Sequence, residues 1–140
     1  MCTINALCLD SLPELLNQIM DLKRLYGRNQ VSFTLNILRF PSFQSALVLP
    51  EDIRTRYRVV LEEWLYKNRS NPWLHEHEVN HTQRLIDYLD VVKTPHSDAF
   101  EMPKLHNDFC QFYSQYDSRR DKNFGTTFPK LAAWHDSIQI

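Results

Sequence analysis

The sequence predicts an α/β chain in which a strand-helix-strand unit, residues 1–48, leads into a mostly α-helical tail, residues 49–140. Two patterns carry this reading. Val31, Phe33, Leu35 and Ile37 alternate strictly with Ser32, Thr34 and Asn36, the period-two signature of a strand, and a helical stripe precedes them. After about Leu49 the apolar residues recur only at helical spacing. A parallel strand pair needs neighbouring strands and helices on both faces, and the sequence offers no further strand. The expectation is therefore the late piece of a barrel or open sheet, with an unpaired edge that a partner must cover.

Met1 to Leu9 is apolar and suits the first strand. Ser11-Leu-Pro-Glu14 has the pattern of a capping box, with Pro13 early in the helix, where its missing N–H costs little. Leu12, Leu15, Leu16, Ile19 and Leu22 form the stripe of that helix, which ends near Tyr26 because Gly27 suits a left-handed cap. The crossover to the second strand is expected to be right-handed. Arg39-Phe-Pro-Ser-Phe-Gln44 reads as a loop, since Pro41 biases Phe40 towards extended backbone.

The tail opens at Leu49-Pro-Glu-Asp52, where proline and two acids favour a helix start; Ile53, Tyr57, Val60, Leu61, Trp64 and Leu65 give its stripe. Asn68 to Pro72 breaks it. A second helix is expected from about Trp73 to Val92 on Leu85, Ile86, Leu89 and Val92, closed by Pro95. A third starts near Pro103 with Leu105, Phe109, Phe112, Tyr113 and Tyr116, and a short last one aligns Leu131, Trp134 and Ile138.

Composition narrows the functional classes. With 43% hydrophobic and 12% aromatic residues the chain is built to fold, and its net charge of -1 lacks the basic excess of a nucleic-acid binder. Cys2, Cys8 and Cys110 form no C-x-x-C and are expected to be reduced thiols. No basic leader or apolar run of membrane-spanning length occurs, so a cytoplasmic location without membrane contact is expected. Gly27 and Gly125 are the only glycines, which rules out G-x-G-x-x-G and Walker loops.

Two sets of site residues emerge. The loop after the second strand leaves a carboxyl end, where barrels and open sheets bind ligands, so Asn36, Arg39 and Gln44 are candidates for ligand contact. The plainer and preferred reading makes them ordinary loop polar groups. His77-Glu-Val-Asn-His81 satisfies H-E-x-x-H: on a helix the spacing aims His77 and His81 at one zinc, Glu78 can polarise the metal-bound water, and Glu101 is a possible third ligand. The extended H-E-x-x-H-x-x-G-x-x-H form fails, because Arg84 and Asp87 stand where Gly and His are required. The plainer reading makes this a polar, partly exposed first turn whose acids Glu76 and Glu78 suit the helix dipole. His96, His106 and His135 stand alone at no ligand spacing.

Three stretches go beyond composition: Thr34-Leu-Asn-Ile-Leu-Arg-Phe-Pro-Ser-Phe-Gln-Ser45 leading to Leu49-Pro50, then Arg84-Leu-Ile-Asp-Tyr-Leu89, then Phe112-Tyr-Ser-Gln-Tyr-Asp-Ser-Arg-Arg-Asp-Lys-Asn-Phe124 with Phe128-Pro129 and Trp134. Together they resemble the C-terminal part of twitch-domain radical S-adenosylmethionine (SAM) proteins. The resemblance implies a late barrel piece over residues 1–45 and the helical tail that follows it. It also implies a family chemistry in which a [4Fe-4S] cluster reductively cleaves SAM. The C-x-x-x-C-x-x-C triad that holds such a cluster is absent, so no cluster-ligand role passes to this chain. The expectation is a barrel-completing portion, not catalytic alone, whose partner is a cluster-bearing N-terminal half in the same or a separate chain. Zinc hydrolysis by the His77 motif and a non-catalytic helical interaction module are the alternatives.

Overall fold

The computed structural model describes residues 1–90 and 102–138. Strand β1 (Cys2–Ile4), helix α1 (Leu12–Tyr26) and strand β2 (Leu35–Ile37) come first. Two single 3₁₀ turns follow, and then α2 (Glu51–Asn68), α3 (Glu76–Leu89), α4 (Met102–Arg120), α5 (Phe124–Thr127) and α6 (Pro129–Ser137). The chain is thus mostly helical around one two-stranded parallel sheet, a mixed α/β arrangement.

The strands pair in the register Cys2 with Leu35 and Ile4 with Ile37. Cys2 N–H donates to Thr34 O at 2.8 Å and Leu38 N–H to Ile4 O at 2.9 Å, extending the ladder at both ends. Both strands are shorter than the apolar runs that encode them. Asn5 Oδ1 accepts the Leu7 N–H, which turns the chain out of β1 well before Leu9.

α1 buries Leu12, Leu16, Met20 and Lys23. Its start is not a capping box: Ser11 has φ -90 and ψ -7, and its hydroxyl donates instead to Cys8 O. Gly27 does take positive φ, 104, but with ψ 148 it leaves the helix in extended rather than left-handed helical backbone. Gly27 N–H donates to Lys23 O, closing the last turn.

α2 packs on α3. Arg54, buried in α2, donates to Leu49 O and to Leu89 O, the last carbonyl of α3, where a cation also suits the helix dipole. α3 begins at Glu76, three residues after the expected Trp73, because Asn71 Oδ1 accepts Trp73 N–H in a turn. Val92, the last residue of the predicted stripe, lies outside the described residues, as do Pro95 and His96. α4 reaches the two 3₁₀ turns: Tyr113 hydroxyl donates to Gln44 Oε1 at 2.7 Å, and His106 Nε2 sits 2.8 Å from Val48 O. Phe109 is fully buried between Tyr113, Phe124 and Trp134. One hydrophobic core runs from Ile4 to Trp134, across the expected division at residue 49.

Five residues of the predicted stripes face outward instead. Leu15, Leu22, Val60, Phe112 and Tyr116 are 37, 43, 44, 44 and 40% exposed, which leaves apolar surface on α1, α2 and α4.

Candidate functional site

The densest polar arrangement lies where α3 meets α1 and β2. Lys23 comes from the buried face of α1 and Glu78 from the first turn of α3. Their side chains are fully buried, with Nζ 2.8 Å from Oε1. A buried charge pair persists only if its remaining hydrogen-bonding capacity is met. Lys23 Nζ also donates to Val31 O at 2.7 Å, while Glu78 accepts the Phe33 N–H on Oε2 at 2.9 Å and the His75 N–H on Oε1 at 2.8 Å. The reading of this first turn as partly exposed is therefore corrected for Glu78. The carboxylate turns inward because a lysine waits on the neighbouring helix.

The same helix continues along β2. Leu35 N–H donates to His81 Nδ1 at 2.9 Å, and the Arg84 guanidinium donates to Leu35 O at 2.7 Å. Thr34 and Leu38 bond towards β1, whereas Val31, Phe33 and Leu35 turn their free backbone groups away from it. Those groups meet Lys23, Glu78, His81 and Arg84. Six residues of helix rise about 9 Å, the reach of two to three strand residues, so α3 can run beside β2 and answer its edge group by group. The expectation of an uncovered sheet edge is thereby corrected for β2: side chains of α3 stand where a third strand would pair.

This arrangement bears on the zinc motif. His77 and His81 approach edge-to-face with ring centroids 6.2 Å apart, and His75 stacks on His77 at 5.4 Å. A neutral imidazole carries one proton, and accepting the Leu35 N–H on Nδ1 places that proton on Nε2 of His81. Metal-ligating histidines have the opposite polarity, donating from the nitrogen that does not bind. Glu78, the residue that would act as base, already has both oxygens engaged in a buried site. Glu101 lies outside the described residues. Among the described residues no group of three or more His, Cys, Asp or Glu is placed to hold a metal ion.

Asn36, Arg39 and Gln44 do not converge. Asn36 is exposed, with its amide donating to Met1 Sδ. Arg39 lies over the Tyr88 ring, 5.2 Å from its centroid, and Tyr88 in turn shares a hydrogen bond with Ser45. Gln44 is committed to Tyr113. The cysteines likewise serve packing: Cys110 is buried with Sγ 3.6 Å from His135 O, and burial pushes its thiol above the usual range. Cys8 Sγ lies in the turn after β1, 3.3 Å from Asn5 N, and burial raises its thiol too.

Sequence reasoning missed Lys23, Arg84 and Arg54. Lys23 had a visible signal: at 100° per residue it falls between Leu12 and Leu16 on the apolar face of α1, where a lysine requires a buried acid.

No protein-family model, curated protein or solved structure matches this chain. Among the described residues no helix is long and apolar enough to cross a membrane.

Proposed function

We propose that this chain is the closing portion of a larger parallel α/β protein, specifically the C-terminal, non-catalytic part of a twitch-domain radical SAM protein. The unequal state of the two sheet edges carries the reading. β2 is sealed by α3, whereas Thr3 of β1 is exposed and its carbonyl oxygen meets the Cys8 thiol at 4.0 Å and no other segment among the described residues. Any further strand then has its place beside β1, the position of the preceding strand in a sequentially wound parallel barrel. α1 supports this: Leu22, Leu25 and Tyr26 are 43, 72 and 63% exposed, an apolar flank suited to the crossover helix that such a strand would bring.

The [4Fe-4S] cluster and SAM belong to the partner half in this reading. Cys2, Cys8 and Cys110 do not fit a cluster, since two are held in packed environments and the triad spacing is missing. What this chain supplies is the last strand pair, the helix that ends the sheet, and the loop carrying Asn36 and Arg39 beside the barrel mouth.

The test is to read the native DNA and transcript upstream of Met1 and express the longest continuous or co-transcribed frame. The expected result is a C-x-x-x-C-x-x-C motif after a strand, with a product that binds an iron-sulfur cluster and cleaves SAM reductively. A transcript with no such motif in the same frame or a neighbouring one overturns the proposal.

A further inference from the structure

A half-open cavity of about 440 Å³ lies between the outer face of α4 and the segment carrying α5. Phe112, Tyr113, Tyr116, Phe124 and Phe128 give it an aromatic lining, joined by Leu7. The volume falls within the range of about 300–1,000 Å³ typical of small-molecule sites. The rings differ in what holds them. Phe124 is buried, stacked on His135 at 4.1 Å and 5.1 Å from Phe128, so one wall is fixed by the core. Phe112 and Tyr116 are nearly half exposed, although Phe43 meets the Phe112 ring at 5.4 Å and the Arg120 guanidinium lies 4.9 Å from the Tyr116 ring centroid.

Two charged residues line the same cavity, and their commitments are unequal. Asp117 accepts the Phe124 N–H on Oδ2 at 3.0 Å, and its main-chain oxygen accepts the Lys122 N–H at 3.1 Å. Its carboxylate is thus tied to the turn that joins α4 to α5. Lys122 forms no ion pair with any carboxylate among the described residues. It follows Asp121, whose positive φ of 52 makes the sharp turn that brings Lys122 back to the cavity.

An aromatic-walled cavity with one uncommitted ammonium is complementary to a flat apolar body bearing a single negative charge. We propose that this cavity is a binding site for a ring-bearing monoanion, an aryl carboxylate or sulfonate. Its ring packs between Phe112 and Phe128, and its acid group lies on Lys122. The site does not depend on the barrel reading, since α4, the α5 segment and Leu7 line it and neither strand contributes a residue.

The test uses 1-anilinonaphthalene-8-sulfonate, a fluorescent aryl sulfonate, beside its neutral analogue N-phenyl-1-naphthylamine, titrated into the whole chain. Saturable binding at one equivalent is expected. Lys122→Gln should weaken the sulfonate roughly tenfold and leave the neutral analogue unchanged, while Phe112→Ala should weaken both. Both positions are at the surface, and an unchanged urea midpoint shows that each variant is folded. Unsaturable binding, equal affinity of wild type and Lys122→Gln for the sulfonate, or preference for a naphthyl ammonium probe over the sulfonate would each overturn the proposal.

Discussion

Replacing Glu78 by Gln separates the structural role of the H-E-x-x-H segment from a catalytic one. The substitution keeps the shape of the side chain but removes its charge and one acceptor. Lys23 then stays buried without a counter-charge, with Val31 O, 2.7 Å away, and at best a neutral amide oxygen as partners. The new amide NH₂ must also face one of the three donors that Glu78 now receives from Lys23, Phe33 and His75. Breaking a buried pair from one side costs about 3–5 kcal/mol. With a urea m-value of about 1–3 kcal/mol/M, that lowers the midpoint by roughly 2 M. It is a large fraction of the ~5–15 kcal/mol that holds a domain of this size together. Lys23→Met alone should cost a similar amount by stranding the carboxylate. The double variant should lose less than the two losses combined by about 2–3 kcal/mol, the coupling expected of groups in direct contact. Equilibrium urea unfolding of the four proteins measures the cycle. A Glu78→Gln unfolding free energy within about 1 kcal/mol of wild type, with additive losses, would refute the buried pair. If that variant also abolished a zinc-dependent hydrolysis, the catalytic reading of the motif would replace the structural one.

Other groups give independent checks. His81→Phe removes the acceptor of the Leu35 N–H and should cost about 1–3 kcal/mol, with faster amide exchange at Leu35 than at Ile4 as the local signature. Tyr113→Phe should cost about 1 kcal/mol through the lost bond to Gln44. Burial raises the Tyr113 phenol, so the folded chain favours its neutral form. That contribution is complete below the unfolded phenol value of about 10 and is lost as pH rises through the higher folded value. Wild type should therefore lose more stability than Tyr113→Phe in urea titrations on the alkaline side. Cys8 and Cys110, both raised by burial, should alkylate with iodoacetamide more slowly than the unfolded chain near neutral pH and reach its rate in denaturant.

The helices were legible because their signals are local. Pro13, Pro50 and Pro103 mark starts, Gly27 marks an end, and the stripes through Leu16, Leu61, Leu85 and Phe109 mark buried faces. The strand alternation likewise placed Phe33 and Leu35 inside. What failed was decided by contacts between distant segments. Nothing near Glu78 shows that it turns inward, because Lys23 is on another helix. Nothing near Leu35 shows that its edge is met by a helix, because hydrophobic patterns report which face of a strand is buried and say nothing of its edges. Ser11 failed as a cap for a local reason: in helical backbone its hydroxyl cannot reach the N–H groups ahead of it.

The motif and the strand read different subsets of α3. Zinc ligation would take His77 and His81, four apart, with the intervening glutamate free for water. The strand takes Glu78, His81 and Arg84, three apart, and uses each as a backbone partner. Only Glu78 and His81 belong to both sets, and both are committed to the strand. If His81 turned its Nδ1 from acceptor to donor it would face the Leu35 N–H, and if Glu78 were freed for water Lys23 would be left buried without its counter-charge. The two uses therefore exclude each other as long as β2 stays in place. The same contacts close that side of the sheet, so growth of the sheet and metal binding at His81 both begin with the loss of the α3 seam, whereas a strand added beside β1 disturbs none of it.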